Sequence, residues 1–307
     1  MCGIAGIWCK EEISASRRAA LREASNSIAL RGPDAKGTNI SPNCWLEHRR
    51  LSIIDTSSDS NQPMVRDSYS LTFNGEIYNY RELREELIGK GKIFKTQGDT
   101  EVLLLGLMDQ GVDFLKKING FFAFAFYDSV TNELILGRDR FGIKPLYYSV
   151  HAEEVIFGSG LGTITPFLSD KKIDHDSLSL YLSLSYVPFP RTILEGVSKL
   201  KPGTALIISE NRREEITYYN LNQLPKAKDS YETAQKRVKE LLVNSVKKRM
   251  VADVPVGTFL SGGVDSSIIT LLASKLNPKI PTFSIGFPNQ PYFDESEKAG
   301  KIAKYLG

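Results

Sequence analysis

A cysteine stands at position 2, and an uninterrupted apolar run, residues 3–8 (GIAGIW), follows it directly. The run reads as a strand passing from the terminus straight into a core, which ties the start of the chain to the fold. Met1 precedes a small residue, so its removal is expected, leaving Cys2 as the mature N-terminus. A thiol and a free α-amino group then share one carbon skeleton. Such an amine titrates near about 8, so a usable fraction is free base at neutral pH. An N-terminal nucleophile therefore carries its own general base. Position 2 alone favours a buried, inert thiol, which is what most free cysteines are. The rest of the chain reverses that preference.

At 307 residues the chain has room for two domains, each able to bury a core. A net charge of +3 makes no electrostatic case for nucleic acid or an anionic membrane. The densest basic run, Lys247-Lys248-Arg249, falls at a helix end, where it complements the dipole. Three cysteines (Cys2, Cys9, Cys44) and three scattered histidines lack disulfide or zinc spacing, which fits a reducing cytoplasm. No apolar run approaches the roughly 20 residues of a membrane span, and the N-terminus lacks the basic start of a signal peptide.

Organisation changes along the chain. The first part reads as α+β: a helix carrying Leu21, Ala24 and Ile28, a turn at residues 31–34 (RGPD), and strands at 45–54 and 69–78. Asn79 with Glu82 resembles a capping box before a helix bearing Leu83 and Leu87. A further helix runs from Asp99 to Gly111, and residues 121–128 and 133–140 form a buried hairpin. Residues 221–229 (LNQLPKAKD) read as a linker. Beyond them strand–helix alternation predicts a parallel sheet: helix 230–250 with Ala234, Val238, Leu241 and Leu242 in its stripe, strand 254–260, helix 266–276, strand 280–285 and helix 295–306. The predicted boundaries are 1–220 and 221–307. Two parallel strands do not make a stable domain, so the second is expected to be incomplete.

Between the first of those strands and the helix after it lies Ser261-Gly262-Gly263-Val264-Asp265-Ser266-Ser267. Glycines at such a turn let backbone N–H groups close on an anion at the helix N-terminus. Asp265 would repel phosphate unless it holds a divalent cation or orients a loop amide. A glycine turn with Asp265 or Ser266 merely capping the helix is the plain alternative, and a lone SGG would favour it. The full string favours an anion site. It resembles the SGGxDS pyrophosphate loop of enzymes that adenylate a substrate with ATP. That resemblance implies ATP and Mg²⁺ (Asp265), with the backbones of Leu260 and Ile285 near the adenine.

CGIAG (2–6), RGPD (31–34), HRRLSIID (48–55), FNGEIYN (73–79), GD (98–99) and RDRFGIKPLYY (138–148) resemble class II glutamine amidotransferase domains. With SGGVDSS, the chain is similar to the glutamine-hydrolysing asparagine synthetase family. The resemblance implies an N-terminal-nucleophile αββα sandwich followed by the start of an α/β ATP-pyrophosphatase domain. Cys2 would attack the side-chain amide of glutamine, with Asn74 and the Gly75 N–H as oxyanion hole. Arg50 would meet the substrate α-carboxylate and Glu76 and Asp99 its α-ammonium, with Leu51, Ser52, Ile53 and Ile54 lining the pocket through their backbone. Each has a bland alternative: Asn74-Gly75 as a hairpin turn, Asp99 as a helix cap, Arg50 as a solvated face. Arg138, Asp139 and Arg140 read as a structural ion network.

The implied reaction is glutamine hydrolysis at Cys2 followed by amidation of an adenylated carboxylate, aspartate foremost. Ammonium is not a nucleophile, so the ammonia would need a shielded route. Alternatives are amidation of a sugar or peptide carboxylate, or a non-catalytic module. The expected partners are these small molecules and a second copy in a homodimer; the expected behaviour of this chain is glutaminase only.

Overall fold

The run behind Cys2 forms β1 (Gly3–Cys9), buried along its whole length. Ile4 and Trp8 join one apolar cluster while Ala5, Ile7 and Cys9 join another. Both faces of the strand are covered, which is why the sequence shows no polar alternation there. The computed structural model describes residues 1–151, 153–287, 289, 290 and 292–306. It divides into two units, Met1–Leu224 and Pro225–Gly307.

In the first unit the remaining strands are β2 (Ala35–Ile40), β3 (Cys44–Arg50), β4 (Met64–Arg66), β5 (Tyr69–Ile77), β6 (Gly120–Asp128), β7 (Glu133–Arg138), β8 (Tyr147–Val150), β9 (Glu154–Gly158), β10 (Val197–Lys199), β11 (Thr204–Ser209) and β12 (Arg212–Thr217). They make two antiparallel six-stranded sheets, ordered β10-β8-β9-β1-β3-β2 and β12-β11-β7-β6-β5-β4. The cluster between the sheets joins Ile4, Trp8 and Leu46 of the first to Ala123, Ala125, Leu136 and Leu206 of the second. Helix α1 (Ala15–Ser27) covers the other face of the first sheet through Leu21 and Ala24, with Ile28 just beyond its end. Helices α2 (Tyr80–Gly89) and α3 (Asp99–Gln110) pack together, and α3 lies against β4 and β5. Helix α4 (His175–Leu184) is capped by Asp174, whose carboxylate accepts the Ser177 N–H. The layers are therefore helix, sheet, sheet, helix, as the family resemblance implies.

Three local expectations need correcting. Asn79 begins α2 without a side-chain cap. Its amide instead donates to the Lys117 carbonyl and accepts the Asn119 N–H, tying the helix start to the approach to β6. The strand expected over 45–54 ends at Arg50, because residues 51–57 curl around the Arg50 guanidinium. The ionic side chains of the RDR segment are satisfied by backbone groups rather than by one another.

The second unit contains α5 (Tyr231–Arg249), β13 (Thr258–Phe259), α6 (Val264–Leu276), β14 (Thr282–Phe283) and α7 (Ser296–Leu306). The two strands pair in parallel, as expected, but are far shorter than 254–260 and 280–285. Pro255 and Pro281 have no N–H to contribute, so the ladder cannot extend through them. In α5 the expected stripe is largely exposed at Val238 and Leu241, and Val246 near the C-terminal end is the buried position.

Candidate active site

Cys2 lies at the mouth of a pocket formed where β1, β3 and β5 converge on the start of α3. Its lining includes Arg50, Leu51, Ile53, Ile54, Asn74, Gly75, Glu76 and Asp99. Of the residues expected around glutamine, Ser52 alone stays outside this lining; its N–H donates to Asp34 of the RGPD turn at 2.8 Å. That turn holds the site from below: Arg31 Nε donates to the Cys2 carbonyl at 3.0 Å, and the Asp34 N–H donates to the Arg50 carbonyl at 3.0 Å.

The Leu51 N–H points at the Cys2 sulfur, 3.4 Å away. Burial pushes the thiol above its ordinary range, while this N–H, the Met1 ammonium, Lys144 and Arg50 pull it back. Cys9 has only Arg17 to oppose its burial, and Cys44 has no neighbouring charge that lowers it. Burial raises Cys9 to about 11 and lifts the fully buried Cys44 well above its ordinary range.

Asn74 is in the middle of β5, opposite Ala123 of β6, not in a hairpin turn. Ala123 belongs to the cluster between the sheets, so the period of two turns Asn74 toward the same side. Its side chain is fully buried, and neither Oδ1 nor Nδ2 has a hydrogen-bond partner among the described residues. Leaving a buried amide unpaired costs of order 1–3 kcal/mol, a cost that calls for an explanation. Gly75 beside it admits no side chain: a Cβ would lie 2.3 Å from the Phe121 carbonyl oxygen. One residue earlier, the Phe73 carbonyl meets His48 Nε2 at 3.1 Å, pinning β5 to β3. Burial lowers His48 to about 3, so the ring is neutral.

Arg50 is 5 % exposed, not solvated. Its Nη1 donates to the Ser57 carbonyl at 2.7 Å and to Asn61 Oδ1 at 2.8 Å, and its Nη2 to the Ile54 and Asp55 carbonyls. The guanidinium thus shapes the 51–57 loop that walls the pocket. Asp55 extends this frame by accepting the Gln97 N–H at 2.7 Å, two residues before Asp99.

Asp99 is the first residue of α3, behind Gly98 at the cap, and its carboxylate meets the N–H groups of the helix start while Oδ2 also accepts the Ile77 N–H at 2.9 Å. Burial raises its carboxyl to about 7, and neighbouring Glu76 adds to the rise. A free aspartate titrates near about 3.9, so between those values the unfolded chain has lost a proton the native state keeps. Native stability accordingly falls as pH rises through that window. Asp99→Asn should therefore be more stable than the parent by of order 3 kcal/mol at alkaline pH and little different near pH 4, while its KM for glutamine rises at least about tenfold. Urea unfolding at the two pH values, with KM beside it, checks both signs.

Gln62, Phe73, Thr100 and Lys144 also line the pocket and were not expected there. Gln62 accepts the Phe73 N–H at 2.7 Å and donates to Thr100 Oγ1 at 3.2 Å, joining β5 to α3. Nothing local in the sequence announces this link. Lys144 sits inside the RDRFGIKPLYY motif, so the motif was the available signal.

In the second unit a cleft at the ends of β13 and β14 is lined by Leu260, Ser261, Ser266 and Ile285, with Phe283 and Glu295. Gly262, Gly263, Val264, Asp265 and Ser267 of the same turn do not line it, and Val264 is 75 % exposed. The turn is internally bonded: Ser261 and Ser266 hydroxyls are 3.1 Å apart, and Ser267 Oγ donates to the Gly263 carbonyl at 2.7 Å. Gly262 has φ +77°, and a Cβ there would lie 2.7 Å from Lys298 Cβ on α7. Among the described residues no group of three or more His, Cys, Asp or Glu is placed to hold a metal, and no helix is long and apolar enough to cross a membrane.

Two antiparallel sheets packed between helices, with a cysteine entering the pocket from the first strand, have the architecture of the N-terminal-nucleophile hydrolases. A solved structure of glutamine phosphoribosylpyrophosphate amidotransferase from B. subtilis shares the fold, with a TM-score of 0.52 at 19% identity, covering 94% of this chain and 67% of that one. The chain belongs to the glutamine amidotransferase domain family, whose model matches residues 1–219; residues 237–307 match the asparagine synthase family. It is 37% identical over 311 residues to asparagine synthetase [glutamine-hydrolyzing] 1 of Bacillus subtilis, covering 100% of this chain and 49% of that protein. It is 38% identical over 313 residues to a putative asparagine synthetase [glutamine-hydrolyzing] of Mycobacterium tuberculosis, covering 95% and 48%. The chain thus spans about half the length of these relatives.

Proposed function

We propose that the first unit hydrolyses glutamine at Cys2 and that the ammonia is used to amidate an adenylated carboxylate, aspartate foremost. The observation that carries the first step is the Asn74 amide, buried and unpaired in a pocket that Cys2 also lines. A tetrahedral intermediate on the Cys2 sulfur would develop an oxyanion, and the Asn74 Nδ2–H and Gly75 N–H are its proposed donors. The α-ammonium of glutamine would meet Glu76 and Asp99, and binding it would draw the raised carboxyl of Asp99 into its charged form. Arg50 supplies positive charge for the α-carboxylate and holds the loop against it. With Met1 removed, the α-amine of Cys2 would relay the thiol proton to the leaving ammonia.

The second step is proposed for residues 221–307. Cleft residues Leu260, Ser261, Ser266 and Ile285 would receive Mg·ATP at the start of α6, where helix geometry favours an anion. Asp265, the one carboxylate in the turn, would touch the cation carried on the nucleotide, since Mg²⁺ is commonly held by one or two carboxylates plus substrate phosphates. A cytoplasmic location, where Cys2 stays reduced, belongs to this reading.

One incubation tests the reading. With glutamine, aspartate and Mg·ATP present, glutamate alone is expected from residues 1–307, and AMP with asparagine in equal amounts would show that residues 221–307 already carry a working second step. Absence of glutamate would overturn the reading of Cys2, and glutamate with AMP but no asparagine would overturn aspartate as acceptor.

A further inference from the structure

The RDRFGIKPLYY motif is used by neither step, yet it is built with care around one residue. Asp139 is fully buried, and its Oδ1 accepts the Phe141 and Ile143 N–H groups, both at 3.0 Å. Its Oδ2 accepts the Lys144 N–H at 2.9 Å and the Phe122 N–H at 3.2 Å. Arg138 grips the same loop from the other side: Nε donates to the Lys144 carbonyl at 2.8 Å, Nη2 to the Gly142 carbonyl at 2.7 Å and Nη1 to the Leu200 carbonyl at 2.6 Å. Gly142 has φ +67°, and a Cβ there would come within 2.9 Å of Pro202 and 3.0 Å of the Arg138 guanidinium. Both backbone polar groups of Lys144 are therefore fixed by buried charged side chains. Its own side chain is left to line the Cys2 pocket.

Arg50 and Lys144 are the two basic side chains of that lining. The Nη atoms of Arg50 are all engaged with loop acceptors. We propose that Lys144 is a positioning residue of the glutaminase site: its ammonium is the fixed cation against which negative charge on the Cys2 sulfur is held. The proposal rests on Cys2 being the nucleophile.

The charges around the sulfur agree with this arrangement. Burial opposes the thiolate; the Leu51 N–H, the Met1 ammonium, Lys144 and Arg50 favour it. Arg31 reaches the Cys2 carbonyl, and Glu76 and Asp99 are the acidic groups of the lining. A cation beside a thiol lowers its pKa and raises the reactive thiolate fraction.

The test is the pH dependence of alkylation by iodoacetamide, with the label mapped to the Cys2 peptide, for the full chain and for Lys144→Met and Lys144→Arg. Lys144→Met should raise the midpoint by about half to one pH unit, so that labelling at neutral pH slows about threefold to tenfold and converges with the parent at high pH. Lys144→Arg, which keeps the charge, should stay near the parent. Glutaminase kcat/KM should fall by the same factor at neutral pH, with KM changed by less than about twofold. An unshifted profile for Lys144→Met, or an equal slowing of both variants at every pH, would overturn the proposal. So would a raised KM with unshifted labelling, which would make Lys144 a ligand of the substrate instead. A parent that releases no glutamate would sink the glutaminase reading, and the labelling, which needs no turnover, would still decide Lys144.

Discussion

Cys2→Ala should lower glutamate release from glutamine by at least about 10⁴-fold, the scale seen when an enzyme loses its nucleophile. The fold should survive, because Cys2 lies ahead of β1 and only partly buried, and the strand is held by its own apolar residues. A glutamine-analogue electrophile such as a diazo-ketone should label Cys2 in the parent and nothing in the variant. Cys9 and Cys44 are buried, and burial keeps both as thiols at neutral pH. A label mapped to either, or activity that outlasts the substitution, would remove Cys2 from the mechanism. Protein that retains Met1 should be as inert as the variant, since the amine nearest the sulfur would then be an amide nitrogen without a usable lone pair.

Asn74→Ala should lower kcat by about 10²–10³-fold, the usual effect of deleting one oxyanion donor, with little change in KM. Stability should move the other way or not at all. The parent holds an amide whose Oδ1 and Nδ2 lack partners among the described residues, so its removal relieves a desolvation cost. Asn74→Leu keeps the volume and sharpens the contrast. Single-turnover and steady-state kinetics, with urea unfolding of the same samples, separate the two effects. A variant that loses stability in proportion to activity would mean that Asn74 is a structural residue.

Much of the site was legible because its residues sit in short local signatures. Cys2 is defined by its place ahead of an apolar strand, and Arg50, Asn74 and Asp99 each stand in a segment with a recognisable pattern. The errors came where a local signal had a distant competitor. Asn74-Gly75 carries strong turn chemistry, yet β6 pairs straight through it, because the adjacent backbones of Phe121 and Phe122 leave room only for glycine. Asn79 has the look of a cap, yet residues 117 and 119, forty positions on, offer its amide better partners. Gln62 became a pocket residue only through contacts with Phe73 and Thr100, 11 and 38 positions on, and Lys144, though its backbone partners Arg138 and Asp139 share its motif, joined the pocket only once β1, β3 and β5 had converged.

By itself, the amino-acid sequence determined the order of elements, the cysteine placed ahead of the first strand, the change of fold class near residue 220 and the glycine turn before α6. These depend on periodicity, on turn chemistry and on residues adjacent in the chain. Tertiary structure decided which groups share one pocket and in what state. The guanidinium of Arg50 is engaged by its own loop, the carboxyl of Asp99 is raised to about 7, and the Asn74 amide is stripped of partners. The raised carboxyl and the unpaired amide follow from burial by strands and a helix that lie far apart in sequence, and desolvation is a property of the packed interior that no single segment possesses.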